Sequence, residues 1–185
     1  HPVMLGNVFQ KNRIWVNRSY LHMVLHCILH HVTRRGKREK TLWNLSCDIA
    51  VESIIDHWYL KCVHFPQTRL RKDTYGQLSK AMKVLTAEGI YRQLAGWNLP
   101  EDKVRELAAE FQKDEHGYWP DDPKQEMHQE VENRWKNISE KTEPDMETFS
   151  SEQSSQAGDL MGQIRVENRD RYAYREFLRM FAVMR

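Results

Sequence analysis

The stretch Ser19-Tyr20-Leu21-His22-Met23-Val24-Leu25-His26-Cys27-Ile28-Leu29 decides the fold, because apolar residues recur in it at helical spacing. Ser19 is a suitable N-cap, and Arg34-Arg35-Gly36 supplies a basic last turn and a stop, so we predict a helix over residues 19–34. At about 100° per residue, His22 and His26 lie within about 40° of each other and about 6 Å apart along the axis. Both imidazoles can therefore reach one metal ion.

Helical spacing continues along the chain. We predict a second helix over residues 41–62, with Thr41 as its cap, and it would form a hairpin with the first helix. Further helices are predicted at residues 76–84, 86–96, 100–113 and 124–140 and at the closing segment Tyr174–Val183, with irregular chain at residues 66–75 and 116–123. Alternation typical of a strand is confined to Arg13–Asn17. We therefore predict a mainly α fold with at most a small β element.

Length and composition favour one soluble domain. The chain has 185 residues, 40% of them hydrophobic, which fits a single domain over residues 1–185 with a linker-like stretch at about 150–158. No apolar run approaches the roughly 18 residues that a membrane span needs, so we expect no membrane association. The three cysteines lie outside any C-x-x-C pair, which favours a reducing cytoplasm. The chain opens at His1-Pro2, and we expect it to be a piece of a longer protein.

A third metal ligand has three candidates, Asp48, His30 and His31. His30 continues the histidine stripe, but on a straight helix it lies about 12 Å from His22, too far to share an ion. His31 is rotated by about 140° from His26 and could contribute only if the helix ends near it. Asp48 has an otherwise apolar neighbourhood, where a carboxylate needs a cation or an arginine partner. We prefer Asp48 as the third ligand. His31 is either an alternative ligand or a group that contacts a ligand without binding the metal itself.

Two segments, Leu21–His31 and Trp43–Ala50, resemble the putative metallopeptidase domain that precedes a von Willebrand factor A-like domain in a family of bacterial proteins. That family shows an H-E-x-x-H helix, a later histidine, and a W-N-x-x-x-D pattern on the next helix. The closing Tyr174–Phe181 also resembles the segment that ends that domain. The resemblance spans nearly the whole chain. It implies a zincin-like helical domain, with an A-like domain missing from its C-terminal side.

Carried over by position, the resemblance implies a zinc ion held by His22, His26 and Asp48, with His31 equivalent to the later histidine. It also implies assembly with AAA-type ATPases.

Met23 departs from the family pattern. In a zinc peptidase the glutamate at this position takes a proton from water and passes it to the leaving amine, which contributes about 10²–10⁴-fold in rate. Methionine has no ionisable group and could simply be an apolar filler. Glu52 lies one turn beyond Asp48 and is a candidate substitute base, as are Asp56 and Glu115, although each could be an ordinary surface acid. We therefore expect weak or absent peptide hydrolysis.

The loop Asp114-Glu115-His116-Gly117-Tyr118-Trp119 combines an acid, a histidine and aromatic residues. Such a segment can line a cleft, or its aromatic rings can simply dock on the core. The two interpretations stay open at this stage.

A second hypothesis is a protein-interaction module with structural histidines and no metal. It is suggested by charge, since acidic residues concentrate in residues 101–153 while the remainder of the chain is basic. A protein or peptide would then be the partner. Nucleic-acid binding ranks lower, because the basic run also fits a helix end and a solvated turn. That run comprises Arg34, Arg35, Lys37, Arg38 and Lys40.

Overall fold

The computed structural model describes residues 2–58, 61–120, 130–138 and 141. Six α-helices follow one another: α1 (Pro2–Lys11), α2 (Arg13–Ile28), α3 (Lys40–His57), α4 (Arg69–Ala81), α5 (Ala87–Trp97) and α6 (Glu101–Phe111). A single 3₁₀ turn, His116–Tyr118, comes next, and residues 130–138 are helical. The described part is mainly helical and contains no strand, which confirms the predicted fold class. Arg13–Asn17, where the alternation allowed a short strand, form the start of α2 instead.

The start of α2 lies six residues before the predicted one. Asn12 is the N-cap, and its side chain accepts a hydrogen bond from the backbone N–H of Trp15 at 3.0 Å. Ser19 therefore lies inside the helix and is buried.

The end of α2 brings His31 back to His26. His30 adopts the left-handed conformation with φ 58°, and the N–H groups of His30 and His31 donate to the carbonyls of Cys27 and His26. These two bonds define a Schellman motif, which satisfies the last carbonyls of a helix. The helix therefore ends at Ile28 instead of continuing to residue 34.

Helix α3 lies at the centre of the described part of the chain, and every residue from 45 to 56 is buried. It begins after Glu39, whose carboxylate accepts from the N–H groups of Thr41 and Leu42, and it ends at His57. Two apolar clusters pack on opposite stretches of it, one with α4–α6 and one with Leu25 of α2 and Leu29, the residue that follows α2.

A stripe of buried acids also runs along α3. It consists of Asp48, Glu52 and Asp56, which lie at four-residue spacing and so share one helical face.

The remaining helices depart from the predicted bounds by a few residues, except α4. This helix begins at Arg69 because Thr68 caps it, so the irregular segment predicted for residues 66–75 is wrong from that point. The predicted linker at residues 150–158 and the closing helix Tyr174–Val183 lie outside the described residues. Within the described part, every helix is too short or too polar to cross a lipid bilayer.

Candidate metal centre

His22 and His26 lie one turn apart on the face of α2 that packs against α3. Both side chains are buried, and their Nε2 atoms are 2.8 Å apart. At this distance at most one proton fits between the two Nε2 atoms. Both atoms therefore point into the same space, as the four-residue spacing predicts.

Asp48 reaches the same space from α3. Its Oδ1 lies 3.1 Å from His22 Nε2 and 3.3 Å from His26 Nε2. Burial raises the pKa of this carboxyl, but the nearby imidazoles of His116, His22 and His26 outweigh that effect and hold the pKa well below its usual range. The structure thus brings together the three residues that the sequence analysis selected, with a charged oxygen between two imidazoles.

The loop after α6 adds Asp114 and His116, which the sequence analysis did not include among the ligands. His116 Nε2 lies 3.1 Å from Asp48 Oδ1 and 2.9 Å from Asp114 Oδ1, and Asp114 Oδ1 lies 3.5 Å from His22 Nε2. All five donor atoms, including that of His26, lie within 4.8 Å of one another. These five side chains converge and are of types that bind metals, so together they could hold a metal ion.

The chemistry of the donors fits a divalent transition-metal ion. In a tetrahedral zinc site, bonds of about 2.0–2.1 Å place the ligand atoms about 3.3 Å apart, which matches the spacing between Asp48 and the two histidines of α2. His116 Nε2 and Asp114 Oδ1 are buried and lie 2.9 Å apart in an ion pair that lacks good hydrogen-bond geometry. Both atoms face the cluster, where a cation would bind them in place of that ion pair.

Without an ion, opposite charges hold the cluster together. Burial lowers the pKa of His22, but carboxylates, chiefly those of Asp114 and Asp48, raise it to about 10. The same two carboxylates overcome the burial of His116 and raise its pKa to about 9. For His26, burial prevails and lowers the pKa to about 4. An incoming cation must therefore displace protons from two imidazoles.

Glu52 lies behind His22. Its Oε1 accepts from His22 Nδ1 at 2.9 Å, and hydrogen bonds with His22 and Arg18 overcome burial and lower the Glu52 pKa to about 2. Because a carboxylate can only accept here, His22 must carry a proton on Nδ1, which leaves Nε2 to the cluster.

The suggestion that Glu52 replaces the missing base stays a prediction, and the other contacts of this residue do not favour it. Its other oxygen, Oε2, accepts from Arg18 Nε at 2.9 Å, Arg18 Nη2 at 2.6 Å and Arg71 Nη1 at 2.6 Å, on the far side of the imidazole. Asp56 belongs to the same buried network, accepting from Arg18, Arg71 and Tyr75. Glu115 is exposed and is not a member of the five-residue cluster.

His31 and Met23 take different places around the cluster. His31 is fully buried, and its Nδ1 lies 3.0 Å from His26 Nδ1, on the side of that ring away from the cluster. The structure thus places it behind a candidate ligand. Met23 is 44% exposed, so the interpretation as an apolar core filler is wrong.

Comparisons with known proteins bear on this cluster. Residues 16–172 match the sequence model of a family described as "Putative metallopeptidase domain". The match includes all five residues of the cluster. Searches of curated proteins and of solved structures found no match.

Proposed function

The chain belongs to the "Putative metallopeptidase domain" family, and from this we propose that it binds a divalent metal ion, zinc by family resemblance, through His22, His26 and Asp48. We further propose that it hydrolyses peptides weakly or not at all. The observation that carries the first part is the convergence of these donor atoms, buried and 2.8–3.3 Å apart, from two helices.

A divalent ion bound here would supply Lewis-acid chemistry, polarising a carbonyl or a water molecule. The chain's own contribution is to orient the donors. Glu52 fixes the proton of His22 on Nδ1, and His31 is placed to do the same for His26.

The second part depends on the absence of a general base. Met23 occupies the position at which the family carries glutamate, and its side chain cannot accept a proton. Glu52 and Asp56 are committed to arginines on the far side of His22. Proton transfer by a positioned side chain contributes about 10²–10⁴-fold in rate, so a site without one hydrolyses correspondingly slowly.

Metal analysis tests the first part. Protein purified without a histidine tag is expected to contain close to one metal ion per chain. His22→Ala, His26→Ala and Asp48→Asn are expected to lose it. The matched control is His57→Ala, a histidine on α3 outside the cluster, which is expected to keep the metal. A protein that is folded but contains no metal, even after dialysis against zinc, would refute the proposal.

Peptide hydrolysis tests the second part. Met23→Glu in metal-loaded protein is expected to raise the rate of peptide cleavage, whereas Met23→Gln, of nearly the same shape but uncharged, is not. Brisk cleavage by the unmodified chain that Met23→Glu lowers would contradict the idea of a degenerate enzyme.

A metal-free interaction module is the second candidate function. It is favoured by the charge balance of the cluster, because the raised pKa values of His22 and His116 allow ion pairs with the two aspartates to close the cluster without a cation. A protein partner, such as the AAA-type ATPase implied by the resemblance, stays a prediction. The metal analysis separates the two functions.

A further inference from the structure

We propose that Asp114 and His116 bind the same ion, so that the site offers five protein donors, three imidazole nitrogens and two carboxylate oxygens. This inference rests on the proposed metal-binding function and extends it from two helices to the loop after α6.

The distances support a shared ion. Donor atoms with metal bonds of about 2.0–2.2 Å cannot lie more than about 4.4 Å apart, and those on neighbouring positions lie about 3 Å apart. His116 Nε2 is 3.1 Å from Asp48 Oδ1 and 2.9 Å from Asp114 Oδ1, and Asp114 Oδ1 is 3.5 Å from His22 Nε2. The two distances from loop donors to helix donors, 3.1 and 3.5 Å, are therefore similar to the 2.8–3.3 Å among the helix donors, and all five atoms lie within 4.8 Å of one another.

The orientation of the two loop side chains is the second argument. His116 is 5% exposed, and its Nε2 meets Asp114 Oδ1 at 2.9 Å in an ion pair that lacks good hydrogen-bond geometry. Both atoms are instead aimed at the cluster, where His116 Nε2 also lies 3.1 Å from Asp48 Oδ1. An ion in the cluster would bind both atoms in place of this ion pair.

The loop holds these side chains in place before any ion binds. The Trp119 ring stacks on the His116 ring, with centroids 4.0 Å apart, and meets the His26 ring edge-on at 4.9 Å. The Gln112 side chain donates to the backbone carbonyl of Asp114 at 2.9 Å. Ordering before binding reduces the entropy lost when the ion arrives.

The number of donors defines the class of ion and the room left for a substrate. Imidazole and carboxylate together suit first-row divalent ions such as Mn²⁺, Fe²⁺, Co²⁺ and five-coordinate Zn²⁺. Five protein donors leave at most one of six positions for water or a substrate. This crowded ligand set is a second reason for weak hydrolysis, while the one remaining position still admits the water that Met23→Glu would activate.

Cobalt substitution tests the inference, because the visible absorption of Co²⁺ is weak with five or six donors and intense with four. The unmodified chain is expected to bind one Co²⁺ with weak absorption. Asp114→Ala and His116→Ala are expected to bind it at least about 10–100-fold more weakly, the loss typical even for residues one step removed from a metal. Glu115→Ala and Tyr118→Ala, exposed residues of the same loop, are the matched controls and should behave like the unmodified chain.

The outcomes separate the two proposals. Unchanged cobalt affinity and absorption in both loop variants, with loss of binding in His22→Ala, would overturn the five-donor site and leave the metal-binding function standing. No cobalt in the unmodified chain would overturn both. If circular dichroism shows that an alanine variant is unfolded, Asp114→Asn and His116→Gln replace it, with the same weaker binding expected.

Discussion

Removing the charge of Glu52 should strongly destabilise the protein. The Glu52 side chain is fully buried, and its Oε2 accepts three hydrogen bonds of 2.6–2.9 Å from Arg18 and Arg71 while Oε1 accepts from His22. In Glu52→Gln one oxygen becomes an NH₂ group, which must face either the guanidinium donors or the Nδ1 proton of His22. In either orientation a donor meets a donor, and among the described residues Asp56 is then the one fully buried counter-ion left to the two buried arginines.

The size of the effect follows from this geometry. Breaking a buried ion pair by removing one partner costs about 3–5 kcal/mol, because the remaining charge stays buried without compensation. Glu110→Gln is the matched control, since Glu110 binds the same Arg71 at 2.9 Å but is partly exposed, and about 1 kcal/mol or less is expected there. Urea unfolding of both variants, followed by circular dichroism, measures the two free energies. Equal, small losses would refute the view that the network behind His22 is a stability determinant.

Other features give smaller, separate effects. Glu39→Ala removes the cap of α3 and should cost about 1 kcal/mol near neutral pH. Burial raises the pKa of Glu39, but hydrogen bonds from Leu42 and Thr41 outweigh burial and lower the pKa below its usual 4.5. The cap therefore stabilises α3 fully above pH 4.5, and this stabilisation is lost as the pH falls through the lowered pKa. Urea unfolding at several pH values checks this, and a pH-independent difference would contradict it. Among the cysteines, exposed Cys62 should react with a thiol reagent before half-buried Cys27, because burial raises the pKa of the Cys27 thiol. Mass spectrometry of the labelled protein measures the order of reaction. Faster labelling of Cys27 would contradict the description of α2.

The local part of the site could be predicted from the sequence. A four-residue spacing on a helix fixes the relation between His22 and His26 whatever the rest of the chain does. Asp48 could be found because a charge among apolar residues needs a partner, and α3 packs directly against α2.

The parts of the site that depend on contacts between distant residues, or on an unusual backbone conformation, could not be predicted from the sequence. Helix α2 ends early because His30 adopts a left-handed conformation. Glycine usually marks such a helix end in a sequence, so neither this end nor the position of His31 could be predicted. Asp114 and His116 are separated from α2 by about 90 residues, and no periodicity relates a loop to a helix at that distance. The one available signal was their combination with aromatic residues in a short loop. The buried arginine partners of Glu52 could not be predicted, because they come from the start of α2 and from α4.

A crystal structure of the zinc-loaded protein, with anomalous data collected at the metal edge, tests the central proposal most directly. We expect an anomalous peak about 2.0–2.2 Å from Nε2 of His22, Nε2 of His26 and Oδ1 of Asp48. A folded protein with no peak among these atoms, or with zinc bound only at other residues, would contradict it.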